Sequence, residues 1–459
     1  GWTVARYRLL RCDGQPNPML GGNRLMGGSK MMKNQGSRAL LCIGITIVTY
    51  LTFILTDVVG APTPITTRLG DWVIEGDGFA IYDIKTDTQY LYLVGSDASR
   101  DQWRIEKRLL SDGSLVPSFG DNGVILTQKS AWGTSGAYAL AIDGEFMYIV
   151  GYRMGYSYPC GEIEKRRLVD GSLVWSVGDE WCSGKKYYDI AVDSIYMYIV
   201  GTRRSGSSFT GYSDAYAIIE KRRLSDGALV TSFGSSGVVE YQYYSGSQPV
   251  NVLHRVAIDD NYIYAVGTTG FSSFLYQFMM KRHIDTGEPA ANFGVNGARR
   301  EDLGEYNDVA IDTEFIYVIG YLNQGGGDFA WTIERRKKSD GEYATGFGGP
   351  YTGRVTSNPS SRQDVANALL MDGKYLYIVG GDMEISLRWR IEKRRAGDGA
   401  LDLSFGEGGF MVIDVGEGGG SAFTIAKKGN CIYVGGTPWR VQSICLANFI
   451  YMPLVLRNY

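Results

Sequence analysis

Histidine and proline are scarce in this chain, and each scarcity excludes a class of chemistry or structure. Only 2 of the 459 residues are His, which leaves almost no material for His-based metal sites or catalytic triads. The 12 Pro beside 62 Gly exclude a Pro-rich chain and indicate many tight turns. The formal net charge is −3, so no overall basic field is present to hold nucleic acid by its phosphates.

Long hydrophobic runs are also nearly absent, with one exception at residues 39–56. This run carries no charge, follows several basic residues and precedes an acidic one, which is the pattern of a segment inserted with its N-terminus inside. Residues 31–60 are then either a signal peptide cleaved after Gly60 or an uncleaved membrane anchor. Both interpretations place residues 61–459 outside the cytoplasm. We therefore predict an exported, extracellular or cell-surface protein that touches the membrane only through residues 39–56, if these are uncleaved.

One sequence pattern recurs seven times between residues 71 and 437. Each copy has a short strand that ends in Asp and an aromatic strand that ends in Gly (YLYLVG at Gly95). In the first six copies a charged strand and a turn follow (WRIEKRLLSDG), and the turn is Asp-Gly in five of them. The aromatic strand is apolar on both faces and should be buried. The Glu-Lys-Arg strand should be half exposed and should protect an outer sheet edge with charges of mixed sign.

Units of about four antiparallel strands, repeated six or seven times, predict an all-β fold, namely a β-propeller. Seven aromatic strands favour seven blades, and six blades are the alternative. The consensus YxYxVG…IEKRxLSDGSLxxSFGxxG resembles the delta-60 repeat, typically VVAG…ALARLNPDGSLDTSFGTGG, over most of residues 71–437, with its core at residues 112–120. The VGG at residues 379–381 is more weakly similar to kelch-type propellers. The delta-60 resemblance implies a secreted or surface propeller without established catalytic residues.

Both chain ends depart from the pattern. The last unit lacks the Asp-Gly turn and the SFG sequence, while residues 1–30 contain a partial repeat-like segment. That segment either completes the last blade, or is the tail of an upstream repeat, or is not native to this protein. If the ends are not native, the last blade is closed by residues 439–459 or by strands from residues 61–82.

Two cysteine pairs are candidates for disulfides in an exported protein. Cys160 and Cys182 are equidistant from the turn at Gly171 and would face each other across a hairpin, the alternative being two free buried thiols. Cys431 and Cys445 could pair in the last unit. No Cys or His spacing fits a zinc site.

We predict no catalytic, cofactor-binding or metal-binding residues and no cofactor. His254 stands where other units have Tyr138, Tyr188, Asn307 and Asn367, so it is interpreted as a polar rim residue. One acidic residue recurs in register, which indicates a shared turn role rather than catalysis: Asp143, Asp193, Asp259, Asp312 and Asp372.

The loops after the aromatic strands vary in length and are rich in Tyr, Ser and Gly, which suits recognition. The candidate recognition residues in and beside these loops are Tyr152, Tyr156, Tyr158, Phe209, Tyr212, Phe271, Phe274 and Trp331.

The sequence thus predicts a non-enzymatic, exported β-propeller that acts as a surface binding or structural module. Its partner would be a protein or a glycan, and nucleic acid is not expected. One alternative is a carbohydrate-active propeller enzyme, a lyase or hydrolase with paired carboxylates in its channel. The other is a self-associating surface or filament subunit whose open last blade accepts a strand from its neighbour.

Overall fold

The computed structural model describes residues 71–446, except 130–132, 180–181, 206–213, 245–248, 272–273 and 385. Every regular element in these residues is a β-strand, and all the strands lie in one unit, Thr67–Tyr459. The predictions for residues 1–30 and 31–60 fall outside the described residues. Within the described part, no helix is long and apolar enough to cross a membrane.

The first three blades are antiparallel meanders whose strands follow the chain order. Blade 1 contains β2 (Gly78–Thr86), β3 (Tyr90–Asp97), β4 (Gln102–Leu109) and β5 (Val124–Gln128). Blade 2 contains β6 (Ser135–Asp143), β7 (Phe146–Met154), β8 (Pro159–Arg167) and β9 (Leu173–Gly178). Blade 3 contains β10 (Lys185–Val192), β11 (Tyr196–Ser205), β12 (Asp214–Arg223) and β13 (Val238–Tyr241).

Blades 4 and 5 share one long strand, β17 (Ala298–Ile311). Blade 4 contains β14 (Pro249–Ile258), β15 (Tyr262–Phe271), β16 (Phe274–His283) and the first part of β17. Blade 5 contains the second part of β17 with β18 (Phe315–Gly325), β19 (Asp328–Lys337) and β20 (Arg354–Ser357). The strand passes from one blade to the next at Gly304, whose φ of 144° strains other residue types. The six hydrogen-bonded sheets of the described residues therefore contain seven four-stranded blades.

The last blade is closed by a strand from the N-terminal side of the ring. Blade 6 contains β21 (Val365–Asp372), β22 (Tyr375–Met383), β23 (Leu387–Arg395) and β24 (Phe410–Ile413). Blade 7 contains β25 (Ala422–Lys428), β26 (Cys431–Gly436) and β27 (Arg440–Cys445), with β1 (Val73–Glu75) as its outer strand. Both segments that the sequence predicts for closure contribute a strand, since β27 lies within residues 439–459 and the outer strand β1 lies within residues 61–82.

The first strand of each blade contacts the first strand of the next, and β25 contacts β2, so the seven blades close a ring around a central channel. The chain is therefore an all-β β-propeller in the part that the structure describes. We call the end where the second and third strands of each blade join the loop face. The opposite end, where the first and second strands join at the Asp residues, is the turn face.

The Gly that ends each aromatic strand is required by a β-bulge in the first strand. Pairing in blade 5 shifts register between Tyr306 and Asp308, and a Cβ on Gly320 would lie 1.9 Å from the carbonyl oxygen of Glu305. The same bulge and the same close approach recur in all seven blades. Only Gly fits there, which explains the repeated glycine of the sequence pattern.

The hydrophobic core lies between neighbouring blades, and side-chain sizes are complementary across the boundaries between blades 2 and 3 and between blades 5 and 6. Trp331 of blade 5 packs against Ala366 of blade 6. At the equivalent position of blade 2 stands Gly161, and the space is filled by Tyr187 of blade 3, whose ring would lie 2.5 Å from a Cβ on that Gly. Each blade is therefore shaped for its own neighbour, as expected for a close-packed interior.

The charged strand is not the half-exposed outer edge that its sequence indicates, and that prediction is wrong. In blade 1 the charged strand is β4, the third of four strands, and β5 pairs along its outer side. Glu106, Lys107 and Arg108 on β4 are 0%, 5% and 7% exposed. Alternating charge does not distinguish a solvated strand face from one whose charges are buried in pairs.

Candidate functional site

The charged strand carries a fully buried glutamate that pairs with basic side chains. Glu220 lies between Arg222, 2.7 Å away, and Lys185, 2.8 Å away. Burial alone would raise the pKa of Glu220, but the two cations more than offset it and lower the pKa. Five blades bury a glutamate at this position: Glu106, Glu164, Glu220, Glu334 and Glu392.

The two basic residues after this glutamate hold neighbouring backbone segments. Arg222 donates from Nη1 to the carbonyl of Gly227 in the Asp-Gly turn, at 2.8 Å. Lys221 donates to the carbonyl of Ile284 in the next blade, at 3.0 Å, and lies 4.4 Å from the ring centroid of Tyr196. The Arg-to-turn bond recurs at Arg108, Arg166, Arg336 and Arg394. The repeated charges therefore hold turns and join blades.

Three of the five repeated aspartates of the turn face make the turn bonds that their register indicates. One oxygen of Asp193 accepts the backbone N–H groups of Ile195 and Tyr196, and the other accepts the hydroxyl of Tyr198 at 2.9 Å. Asp259 and Asp312 make the same set of bonds. Among the described residues, no group of three or more His, Cys, Asp or Glu side chains could hold a metal ion.

The bulge residues of the first strands form a ring of side chains in the channel. Tyr138 lies between Tyr82 and Tyr188, with centroids 4.7 and 5.3 Å away. His254 packs edge-on against Tyr188 and donates from Nδ1 to the carbonyl of Tyr306 at 3.0 Å, and burial lowers its pKa. The bulge residues are Tyr82, Tyr138, Tyr188, His254, Asn307, Asn367 and Phe423.

Three carboxylates and one arginine follow this ring, in a cavity of about 400 Å³. Burial raises the pKa of Asp308 to about 6, although Arg255 lowers it, and burial also raises the pKa of Asp189. Asp308 accepts the backbone N–H of Leu369 in the next blade at 2.7 Å. Asp83 and Asp189 make the equivalent bonds to Leu140 and Val256. These aspartates therefore tie blades 1, 3 and 5 to the blade that follows each of them.

The structure brings only some of the predicted recognition residues to the surface. Tyr156 and Phe274 are 86% and 60% exposed, and Tyr158 and Phe271 are half-buried. Phe209 and Tyr212 lie outside the described residues.

The prediction of a recognition role is wrong for Trp331 and Tyr152, because both side chains are buried. Trp331 lies inside β19, is 0% exposed, and donates from its indole N–H to the carbonyl of Gly381 in the next blade at 3.1 Å. Tyr152 lies in β7, is 6% exposed and stacks on Tyr138 at 5.6 Å between centroids. The loops that the sequence predicts at these two positions are therefore too long by one to a few residues, because β7 and β19 extend into them.

One cluster of partly exposed aromatic side chains lies on the loop face of blades 3 and 4. The centroid of Tyr244 is 4.9 Å from that of Phe271 and 6.3 Å from that of Tyr276. The guanidinium of Arg300 lies over the ring of Tyr276, 4.5 Å from its centroid. We call Tyr243, Tyr244, Phe271, Phe274, Tyr276 and Arg300 the aromatic patch. Its most exposed rings are Phe274 and Tyr243, at 60% and 38%.

A buried asparagine fixes the segment that carries two of these tyrosines. Asn251 is 1% exposed, accepts the backbone N–H of Tyr243 at 3.1 Å and donates to the carbonyl of Tyr244 at 3.1 Å. Thr269 donates to the same side chain at 2.7 Å. Sequence reasoning missed the two tyrosines because it considered only the loops after aromatic strands, although the run YQYY at the end of β13 marks them.

Two disulfides are formed among the described residues. Cys160 is bonded to Cys182 in blade 2, and Cys431 to Cys445 in blade 7, where the two residues face each other across β26 and β27. Both bonds link the third-strand region of a blade to a neighbouring segment.

No family model matches the sequence, and no curated protein sequence matches it. The chain is similar in structure to BamB from Moraxella catarrhalis, with 12% identity, 81% of this chain and 85% of that chain covered, and a TM-score of 0.40. It is similar to Drosophila Semaphorin 1b, extracellular domains 1-2, with 8% identity, 83% and 87% covered, and a TM-score of 0.46. It is also similar to Chaetomium thermophilum Sqt1 bound to the N-terminus of the ribosomal protein L10, with 10% identity, 83% and 100% covered, and a TM-score of 0.48.

Proposed function

We propose that the chain is an exported, non-enzymatic β-propeller of the delta-60 type that binds a partner on its loop face. The aromatic patch carries this proposal, since exposed aromatic rings beside an arginine are typical of binding hot spots. The repeated charges hold turns and join blades, and the channel aspartates accept hydrogen bonds from backbone N–H groups. Both groups therefore have structural roles. The patch, by contrast, holds large rings at the surface.

Export is supported by the two disulfides, because such bonds persist in oxidising compartments. Cells that make the full chain are lysed in an alkylating agent that blocks free thiols, and the intact mass of the protein is measured. An exported chain keeps all four of these cysteines unmodified. Alkylation of Cys160 and Cys182 in freshly lysed cells would contradict export.

The binding proposal is tested with the purified full chain on a glycan array and on a peptide array. Phe274→Ser should abolish the signals that the wild-type chain gives. Tyr351→Ser is the matched control, because Tyr351 is 91% exposed but lies in the connection before β20, on the turn face. Signals that survive Phe274→Ser and disappear with Tyr351→Ser would contradict a binding site on the loop face.

The self-assembly alternative loses its structural basis, because the last blade is not open. The position of its outer strand is occupied by β1 (Val73–Glu75) of the same chain. Arg440 of β27 forms an ion pair with Glu75 of β1 at 2.6 Å. A neighbour's strand would have to displace this one.

A further inference from the structure

Arg300 is an exposed cation close to three tyrosine rings. It lies over Tyr276, is within 5.8 Å of the ring centroids of Tyr243 and Tyr244, and donates a hydrogen bond to the hydroxyl of Tyr244. Within the described residues, no carboxylate lies within ion-pair distance of its guanidinium, whereas the adjacent Arg299 pairs with Glu301 at 2.8 Å. A guanidinium held by ring stacking keeps its planar N–H groups for a carboxylate supplied from outside.

The surface around Arg300 is apolar. Phe274 and Phe271 face each other at the tip of the β15–β16 hairpin, and Leu303, 36% exposed, is paired with Tyr276 on the adjoining strand. Phenyl and leucyl side chains bury apolar atoms of a partner but offer it no hydrogen bonds. The buried Asn251 side chain already fixes the Tyr243–Tyr244 segment. Little conformational entropy of this segment therefore remains to be lost when a partner binds.

We propose that the aromatic patch binds an extended peptide segment of a partner protein in which an acidic residue stands next to an apolar one. The carboxylate of that residue pairs with Arg300, and the apolar side chain packs against Phe274 and Tyr243. This inference rests on the proposed function and adds the chemical class of the partner. We favour a peptide over a glycan because the patch combines one cation with the exposed ring of Phe274, and a phenyl ring offers no hydrogen bond to a sugar hydroxyl.

The test selects short random peptides, displayed on phage, against the immobilised full chain. Enriched peptides are synthesised and their affinities are measured by titration against the wild-type chain, Arg300→Gln, Arg300→Glu and the control Tyr351→Ala. Arg300 is exposed, so its substitution leaves the core intact. Tyr351 is the control, because it is 91% exposed and lies on the turn face, away from the aromatic patch.

We expect enriched peptides to share an Asp or Glu beside an aliphatic or aromatic residue. Arg300→Gln should weaken their binding about tenfold, which corresponds to about 1.4 kcal/mol, while Tyr351→Ala should leave it unchanged. A peptide whose acidic residue is replaced by Lys should bind Arg300→Glu better than it binds the wild-type chain.

The outcomes separate this inference from the function on which it rests. Enriched peptides without an acidic residue, or with equal affinity for Arg300→Gln, overturn the acidic-peptide inference, but if Phe274→Ser abolishes their binding the loop-face function stands. Selection of no peptide, together with an array signal for anionic glycans lost in Arg300→Gln, overturns the peptide class. Binding unaffected by either patch substitution overturns both proposals.

Discussion

Arg108 joins the buried carboxylate of Glu106 to the turn that follows their strand. Its Nε lies 2.6 Å from Oε2 of Glu106, and its Nη1 donates to the carbonyl of Gly113 at 2.8 Å. A carboxylate with no exposed surface is stable only when it is paired and hydrogen-bonded. The Glu-Lys-Arg sequence is therefore a device that fixes the geometry of a blade from the inside.

Removing this glutamate should destabilise the propeller strongly. Glu106→Met leaves Arg104 and Arg108 buried without their shared carboxylate, since both now pair with Glu106. Breaking a buried ion pair by removing one partner costs about 3–5 kcal/mol. The measurement is the free energy of unfolding from urea denaturation, compared with the wild-type chain.

The chain offers a matched control in blade 4. There Met280 occupies the position of the glutamate, and the buried Nε of Arg282 has no hydrogen-bond partner. Burial lowers the pKa of Arg282. Met280→Glu should therefore stabilise the chain or leave it unchanged. Equal destabilisation by Glu106→Met and Met280→Glu would show that the loss reflects strand packing rather than the missing ion pair.

The complementary side-chain sizes across the boundary between blades 5 and 6 should make the effects of two substitutions on the free energy of unfolding non-additive. Trp331→Gly opens a cavity at the boundary between blades 5 and 6 and should cost about 3–5 kcal/mol. Ala366→Tyr alone should overpack the same space, at a cost of about 1–3 kcal/mol. Together they copy the Gly161 and Tyr187 pair of blades 2 and 3, so the double variant should be more stable than the sum of the two losses predicts. Additive losses in urea denaturation would contradict the packing relationship.

The repeat, the strand types and the ring could be predicted from the sequence because they depend on local patterns. The aromatic strand YLYLV is buried on both faces, and the Asp-Gly turn after β4 lies where its sequence indicates. The environment of Glu106 could not be predicted, since alternating charges look the same whether they face water or each other. Only Phe271 and Phe274 of the aromatic patch were predicted, because Tyr243 and Arg300 lie outside the loops after the aromatic strands, in other segments of the sequence.

Each disulfide should stabilise the folded chain mainly by restricting the unfolded one. Cys160 and Cys182 are 22 residues apart, and Cys431 and Cys445 are 14 apart. Loops of this size correspond to about 3 kcal/mol per bond. Replacing Cys160 and Cys182 by Ala should lower the free energy of unfolding by about that amount. Adding a reductant should lower the free energy of unfolding of this variant further, because the remaining Cys431–Cys445 bond is broken. If the reductant changes this free energy no more than it would for a chain without cysteine, the expectation is contradicted.

The channel aspartate Asp308 should make the folded chain less stable as the pH rises. Its pKa is raised from 3.8 to about 6 by burial, against the opposing effect of Arg255, so the folded state holds the proton more tightly than the unfolded state does. The contribution is fully present below about pH 4 and is lost as the pH rises through about 6. A shift of about two pKa units corresponds to about 3 kcal/mol.

Asp308→Asn removes this titration and keeps a side-chain acceptor for the backbone. The difference in free energy of unfolding, variant minus wild type, should therefore increase between about pH 4 and pH 7. Asp259→Asn is the control of opposite sign. Burial alone would raise the pKa of Asp259, but its bonds to Lys338 and to two backbone N–H groups lower it, so it stabilises the fold above its unfolded pKa and loses that effect in acid. If the two variants change the pH profile in the same direction, Asp308 is not held protonated by its burial in the channel.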